Sequence, residues 1–154
     1  MAIEQVKEYL AGFGLADRVM EFTQSRATVA EAAVDLGCEP ARIAKTMAFD
    51  VAGQPVLIVI AGDGKVDNPK FHCKASMIRP ENLVEQVGHP MGGVCPFDIR
   101  PGVQVYLDES LRRFDVVFPA AGTAASAVRL TVPELERAVQ NFAGWVDIAK
   151  GWQA

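Results

Sequence analysis

The seven residues Pro55–Ala61, PVLIVIA, constrain the fold more than any other stretch. A run this apolar and this rich in β-branched side chains reads as a strand covered on both faces, because a strand with one wet face alternates polar with apolar. Ala52-Gly53-Gln54 turns the preceding strand, Thr46 to Val51, back onto it, so the expected unit is a hairpin. A strand buried on both sides then needs covering elements. Ile3, Val6, Leu10 and Phe13 recur at helical spacing and give an amphipathic opening helix closed by Gly12 and Gly14. Ala27–Leu36 repeats the pattern, with Thr28 and Glu31 as a capping box and Gly37 at the stop.

Pro40 opens a brief helix, Ala41–Lys45, which places Lys45 at a helix-to-strand junction. The more polar stretch Lys65–Met77 is expected to be helical from about Asn68, followed by a short strand over Met77–Arg79. Pro80 starts a helix ending near Gly88, and Gly88–Gly102 is too rich in glycine and proline for a regular element. Val103–Leu107, Asp115–Phe118 and Ala127–Thr131 read as strands. Pro133 opens a last helix to about Asn141, with Trp145 and Trp152 pinning the tail. Short strands and helices without regular βαβ alternation predict an α/β fold, a single domain over 1–154 with a central mixed, barrel-like β-sheet flanked by helices. The length suffices for a core without disulfides or structural metal.

Fifteen Lys and Arg against nineteen Asp and Glu leave a net charge of −4, which excludes a general duplex-DNA binder. Nucleic-acid contact must then be local. Lys65, Lys70, Lys74 and Arg79 outnumber Asp63 and Asp67 in their stretch, and Arg112-Arg113 adds a second basic pair; a solvated face is the structural alternative. Three widely spaced cysteines fit a reducing cytoplasm, the first residues lack a signal-peptide core, and no run of eighteen apolar residues predicts a membrane span.

Standard motifs fail on single residues. Asp17 stands where GxGxxG needs a third glycine, and Val66 follows Gly64-Lys65 where a P-loop needs Ser or Thr. Cys38, His72, Cys73, His89 and Cys95 show no CxxC or HxxxH spacing, so no metal or other cofactor is expected. No GxSxG occurs; a His89–Cys95 thiolate pair across a loop is geometrically possible.

Three features stay open to chemistry. The loop GHPMGGVCPF, Gly88–Phe97, has adjacent glycines that let backbone N–H groups line an anion- or oxyanion-binding concavity, though Gly and Pro also simply make turns. Lys45 can anchor a phosphate or carbonyl oxygen, or merely favour a helix C-terminus. The small residues of PAAGTAASA, from Pro119 to Ala127, leave room for a narrow pocket or a tightly packed turn.

In that order, Lys45 before a hairpin, GHPMGGVCPF and FPAAGTAASAVRLTVPEL resemble the YbaK and prolyl-tRNA-synthetase-associated editing-domain family over nearly the whole chain. The resemblance implies a trans-acting aminoacyl-tRNA deacylase that hydrolyses the ester of a mischarged tRNA. It assigns catalysis to Lys45, Gly92 and Gly93. It assigns substrate contact to Phe22, His89, Met91, Val94, Cys95, Pro96, Ala120, Ala121 and Gly122, and tRNA contact to Lys65, Lys70, Lys74 and Arg79. The implied partners are the mischarged acceptor end and an aminoacyl-tRNA synthetase, with no duplex DNA and no membrane. Neither a protein nucleophile nor a metal is required, since an aminoacyl ester is already activated. Family members that clear cysteinyl-tRNA carry a serine and an aspartate where this chain has Ala120 and Ala127, which argues against cysteine and for alanine, serine or threonine. The alternative is a binding module of the same fold without catalysis.

Overall fold

A computed structural model describes residues 2–21, 33–34, 36–66, 75–123 and 125–150. Helix α1 spans Ala2–Ala11 and turns out at Gly14, whose φ of +74° is comfortable only for glycine. Strand β1 is Val19–Glu21. The hairpin follows as β2, Ile43–Val51, and β3, Gln54–Ala61, joined by Ala52 and Gly53, both at positive φ as a two-residue hairpin turn of this hand demands. Next come β4, Lys65–Val66; β5, Ala75–Met77; helix α2, Leu83–Gln86; and β6, Gln104–Asp108. Strands β7, Val116–Pro119, β8, Ser126–Val128, and β9, Leu130–Thr131, lead into helix α3, Val132–Ala138. Strands β10, Phe142–Val146, and β11, Ala149–Lys150, close the described chain.

The main sheet runs β10-β6-β3-β2-β7-β9, with β5 also on β2. Its ladders are mixed: β2/β3, β2/β5 and β7/β9 are antiparallel, while β3/β6, β2/β7 and β10/β6 are parallel. The result is the expected mixed, barrel-like sheet flanked by helices, curled into a half-barrel. Val56 to Ala61 are all buried, so β3 is covered on both faces as its composition requires. Leu57, Val59 and Ala61 share one face with Ala44 and Ala48 and pack against Val6 and Leu10 of α1, Leu83, Phe97 and Leu135. Val56, Ile58 and Ile60 share the other with Phe49 and Ile148.

Five elements differ from expectation. Only Pro40–Arg42 makes a single 3₁₀ turn, and the strand begins at Ile43; Lys45 therefore sits inside β2 and has no helix end to favour. The β-branched residue and the full-length pairing with β3 outweigh the proline signal. The strand predicted over Met77–Arg79 is Ala75–Met77, paired to Phe49–Val51. The strand predicted over Ala127–Thr131 is split at Arg129, because β8 pairs with β1 and β9 with β7. Helix α3 has the Thr131–Glu134 capping box but stops at Ala138, as Val139 turns extended. Gly144 and the mostly exposed FAGWV composition hid β10, which lies parallel beside β6 with a bulge. The helices expected from Asn68 and over most of Ala27–Leu36, and Trp152, lie outside the described residues.

Asp108, fully buried, anchors the end of the chain: one oxygen accepts from Ser110 N–H at 2.9 Å and the other from Ile148 N–H at 2.8 Å. Asp108→Ala orphans both donors and is expected to cost about 2–4 kcal/mol, read from reversible urea unfolding; a change below about 0.5 kcal/mol would show that the tail is held elsewhere.

Candidate functional site

Strand β2 is paired along its whole length with β3 but only intermittently on its other side. There Ile43 and Ala44 pair with Phe118 and Pro119, and pairing resumes where Ile78 N–H donates to Ala48 O at 3.1 Å and Phe49–Val51 meet β5. Between them no described strand pairs with Lys45, Thr46 or Met47 on that side. The sheet thus opens at Lys45–Met47.

Past Pro119 the chain bends through Ala120-Ala121-Gly122, with Gly122 at φ +95°. The Ser126 hydroxyl holds this bend: it accepts from Ala121 N–H at 3.3 Å and from the Thr123 hydroxyl at 2.9 Å, and donates to Thr123 O at 3.1 Å. The glycine loop comes down on the same bend. A Cβ at Gly93 would collide with the Gly122 carbonyl and lie 2.6 Å from Thr123 N, so only glycine permits this approach. The register Ala44 to Pro119 and the Gly93–Gly122 contact therefore bring Lys45, Gly92-Gly93 and Ala120–Gly122 to one neighbourhood of the chain.

Within the loop, Gly93 N–H donates to Pro90 O at 3.0 Å, closing a turn in which Gly92 has φ +86°. Met91, 70% exposed, and Gly92 form its outer tip. The far limb is clamped by Gln140, whose amide accepts from Ile99 N–H and donates to Ile99 O, each at 2.9 Å, while its N–H reaches Pro96 O at 3.0 Å.

The side chains of His89 and Cys95, 1% and 0% exposed, and Pro96 are buried beneath the loop; they brace it from below instead of facing a ligand, and Val94 packs half-buried on the core. His89 Nε2 lies 2.7 Å from Phe97 O, and since a carbonyl only accepts, Nε2 carries the proton. Burial pushes the imidazole pKa down and the Cys95 thiol up to about 12. Imidazole and thiol, 3.5 Å apart, are both neutral, and the thiolate pair that spacing allowed is not formed. The apolar surroundings that raise the thiol are legible only in three dimensions.

Lys45 lies on the sheet face of Met47, Ile58 and Ile60, opposite Thr46. Its ammonium adds a minor pull on Asp63, whose carboxyl is held low chiefly by bidentate hydrogen bonds from Arg113 at 2.6 and 2.9 Å. Arg113, 14% exposed, is thereby spent, and Arg112 pairs with Glu109 and stacks 4.0 Å over Trp145. The second basic pair is internal wiring. Arg79 is exposed ahead of Pro80. Phe22, Lys70 and Lys74 lie outside the described residues, as do His72 and Cys73, and for Lys65 only the backbone in β4 is described. Among the described residues no three His, Cys, Asp or Glu could share a metal, and no helix is long and apolar enough to cross a membrane. Ser126 and Gln140 carried no sequence signal beyond being polar, because their partners lie in the backbone.

The chain is similar to known proteins over most of its length. Residues 23–138 match the family model described as an aminoacyl-tRNA editing domain. The chain is 42% identical to the protein YwhH of Bacillus subtilis over 99% of its length and 100% of that protein's. It is 29% identical over 94 residues to a proline–tRNA ligase of Geobacillus kaustophilus, of which it spans 17%. A crystal structure assigned as a candidate trans-editing enzyme for prolyl-tRNA synthetase superposes with a TM-score of 0.88 at 28% identity, over 97% of this chain and 98% of the other.

Gly93→Ala must push two backbones apart and is expected to destabilise by about 1–3 kcal/mol, a lowered thermal midpoint for which Gly12→Ala, outside the positive-φ region and with only a 3.4 Å contact from its Cβ to Tyr9 O, is the control. For His89 the folded-state pKa lies below 6.5, so protons favour the unfolded chain. Its contribution to stability is complete above pH 6.5 and falls away as pH drops through the lowered value. The midpoint should therefore fall more steeply on acidification in the wild type than in His89→Gln; parallel curves would contradict the assignment.

Proposed function

The chain belongs to the aminoacyl-tRNA editing domain family, and from that membership we propose that it acts in trans as a deacylase, hydrolysing the ester that joins a wrong, small amino acid to the 3′ end of a tRNA. The observation that supports this reading is that the Lys45 strand pairs with the strand leading into the Ala120–Gly122 bend, on which the glycine loop packs, beside the stretch of β2 that has no second pairing strand among the described residues.

The chemistry follows from positioning. The ester carbonyl needs no further activation, so water can attack it once a dipole or charge receives the developing oxyanion. Gly93 N–H is committed to Pro90, so the loop donor offered to that oxygen is the Gly92 N–H at the exposed tip, with Gly93 setting how close the tip comes to Gly122. The Lys45 ammonium holds the phosphate of the terminal adenosine or the acyl carbonyl. Burial keeps His89 and Cys95 from solvent, and the thiol, pushed up to about 12, is not a thiolate nucleophile. Ala120 and Ala121 leave room for a short acyl side chain and offer no acid–base group, which favours alanine, serine or threonine over cysteine. Lys65, Lys70, Lys74 and Arg79 grip the single-stranded acceptor end, which splays more readily than a duplex. An aminoacyl-tRNA synthetase is the natural second partner, since it generates the mischarged product, and the cytoplasm is the compartment of both.

Incubation with a panel of mischarged tRNAs tests the reading. Hydrolysis above buffer for at least one small amino acid is expected, and Lys45→Ala should lower it on the order of 10²-fold, the usual effect of removing one oxyanion or anchoring charge, with the thermal midpoint nearly unchanged. Saturable binding without turnover would replace the deacylase by a non-catalytic module; a large stability loss in Lys45→Ala would make the lysine structural.

A further inference from the structure

The Thr46 hydroxyl is buried and has no hydrogen-bond partner, an arrangement that costs stability and that folded proteins rarely keep without use. It stands at the middle of the sheet opening, where the ladder along β2 lapses between Ala44 and Ala48. Backbone groups alternate sides along a strand. Since Ala48 O points to the unpaired side, where it meets Ile78 N–H, the N–H and C=O of Thr46 point there too. Among the described residues, no strand pairs with this one-residue stretch of edge.

We propose that the acyl group of the substrate docks on this edge as a one-residue strand, its α-amine donating to Thr46 C=O with help from the Thr46 hydroxyl, and its carbonyl accepting from Thr46 N–H. The assignment rests on the deacylase reading and names the part of the substrate held there. An aminoacyl group repeats the amine–carbon–carbonyl order of a residue in a chain, and a directly opposed residue of an antiparallel pair exchanges both of these bonds. A phosphate fits the same place poorly. It needs cations, whereas Thr46 shares its sheet face with Ala44, Ala48, Leu57, Val59 and Ala61, and the Lys45 side chain belongs to the other face. Directly opposed residues share a face, so the acyl side chain lies on the sheet face of Ala44 and Ala48. The Thr46 residue is half-buried, and rotation about its Cα–Cβ bond exchanges hydroxyl with methyl, which brings the oxygen to an arriving amine.

The probe is 3′-alanylamino-3′-deoxyadenosine, whose amide linkage resists hydrolysis, compared with its N-acetylated form by calorimetric titration. The wild type is expected to bind the free amine about tenfold more tightly, the scale of one hydrogen bond to an amine. Thr46→Val, which keeps the backbone C=O and loses only the hydroxyl, should weaken that preference several-fold while keeping or raising the thermal midpoint, because it removes an unsatisfied hydroxyl, and Thr46→Ser should retain it in full. An undiminished preference in Thr46→Val, or no binding of the free-amine probe by the wild type, overturns the proposal. Amine-dependent binding through Thr46 in a protein that hydrolyses no mischarged tRNA leaves the subsite standing and removes the deacylase.

Discussion

The pairing of β2 governs what the rest of the molecule can do. One of its edges is fully satisfied by β3, the most apolar strand of the chain, and this fixes the hairpin in the centre of the sheet. Its other edge is divided between β7 and β5, which approach from opposite directions and do not meet. Closing that gap with a continuous strand would satisfy Thr46 and would also remove the place where three distant pieces of sequence converge. An unsatisfied edge inside a sheet is ordinarily a defect; here it includes Lys45 and lies near the bend on which the glycine loop packs.

The loop is rigid for reasons that lie outside it. Gln140 grips its far limb through three hydrogen bonds, His89 and Cys95 fill the space under it, and Gly93 sits directly on the Gly122 backbone. The Ser126 hydroxyl in turn fixes the bend that carries Gly122. These contacts hold the tip, Met91-Gly92, without using its own polar groups, which is what preorganisation of a backbone donor requires.

Much of this was legible in the sequence, and unevenly so. PVLIVIA announced its double burial, Pro80 and Gly88 bounded their helical segment, and Pro133 marked the start of α3. Lys45, the glycine pair and the small-residue turn were identified as candidates and lie together. Their side-chain orientations were not legible: spacing left a His89–Cys95 thiolate pair geometrically possible, and burial shows both side chains enclosed. The two glycines likewise looked alike, yet one supplies the turn's positive φ and the other the close approach to Gly122. Thr46 carried no signal at all, because an unpaired edge is a property of which strands fail to arrive.

The most direct test of the central claim is the map of backbone amide shifts produced by titrating isotope-labelled protein with 3′-alanylamino-3′-deoxyadenosine. Convergence of the three segments at the sheet opening predicts perturbations concentrated at Lys45–Met47, Gly92 and Ala120–Gly122. Perturbations confined to the exposed surface around Met77 and Val84, with those segments silent, would contradict it.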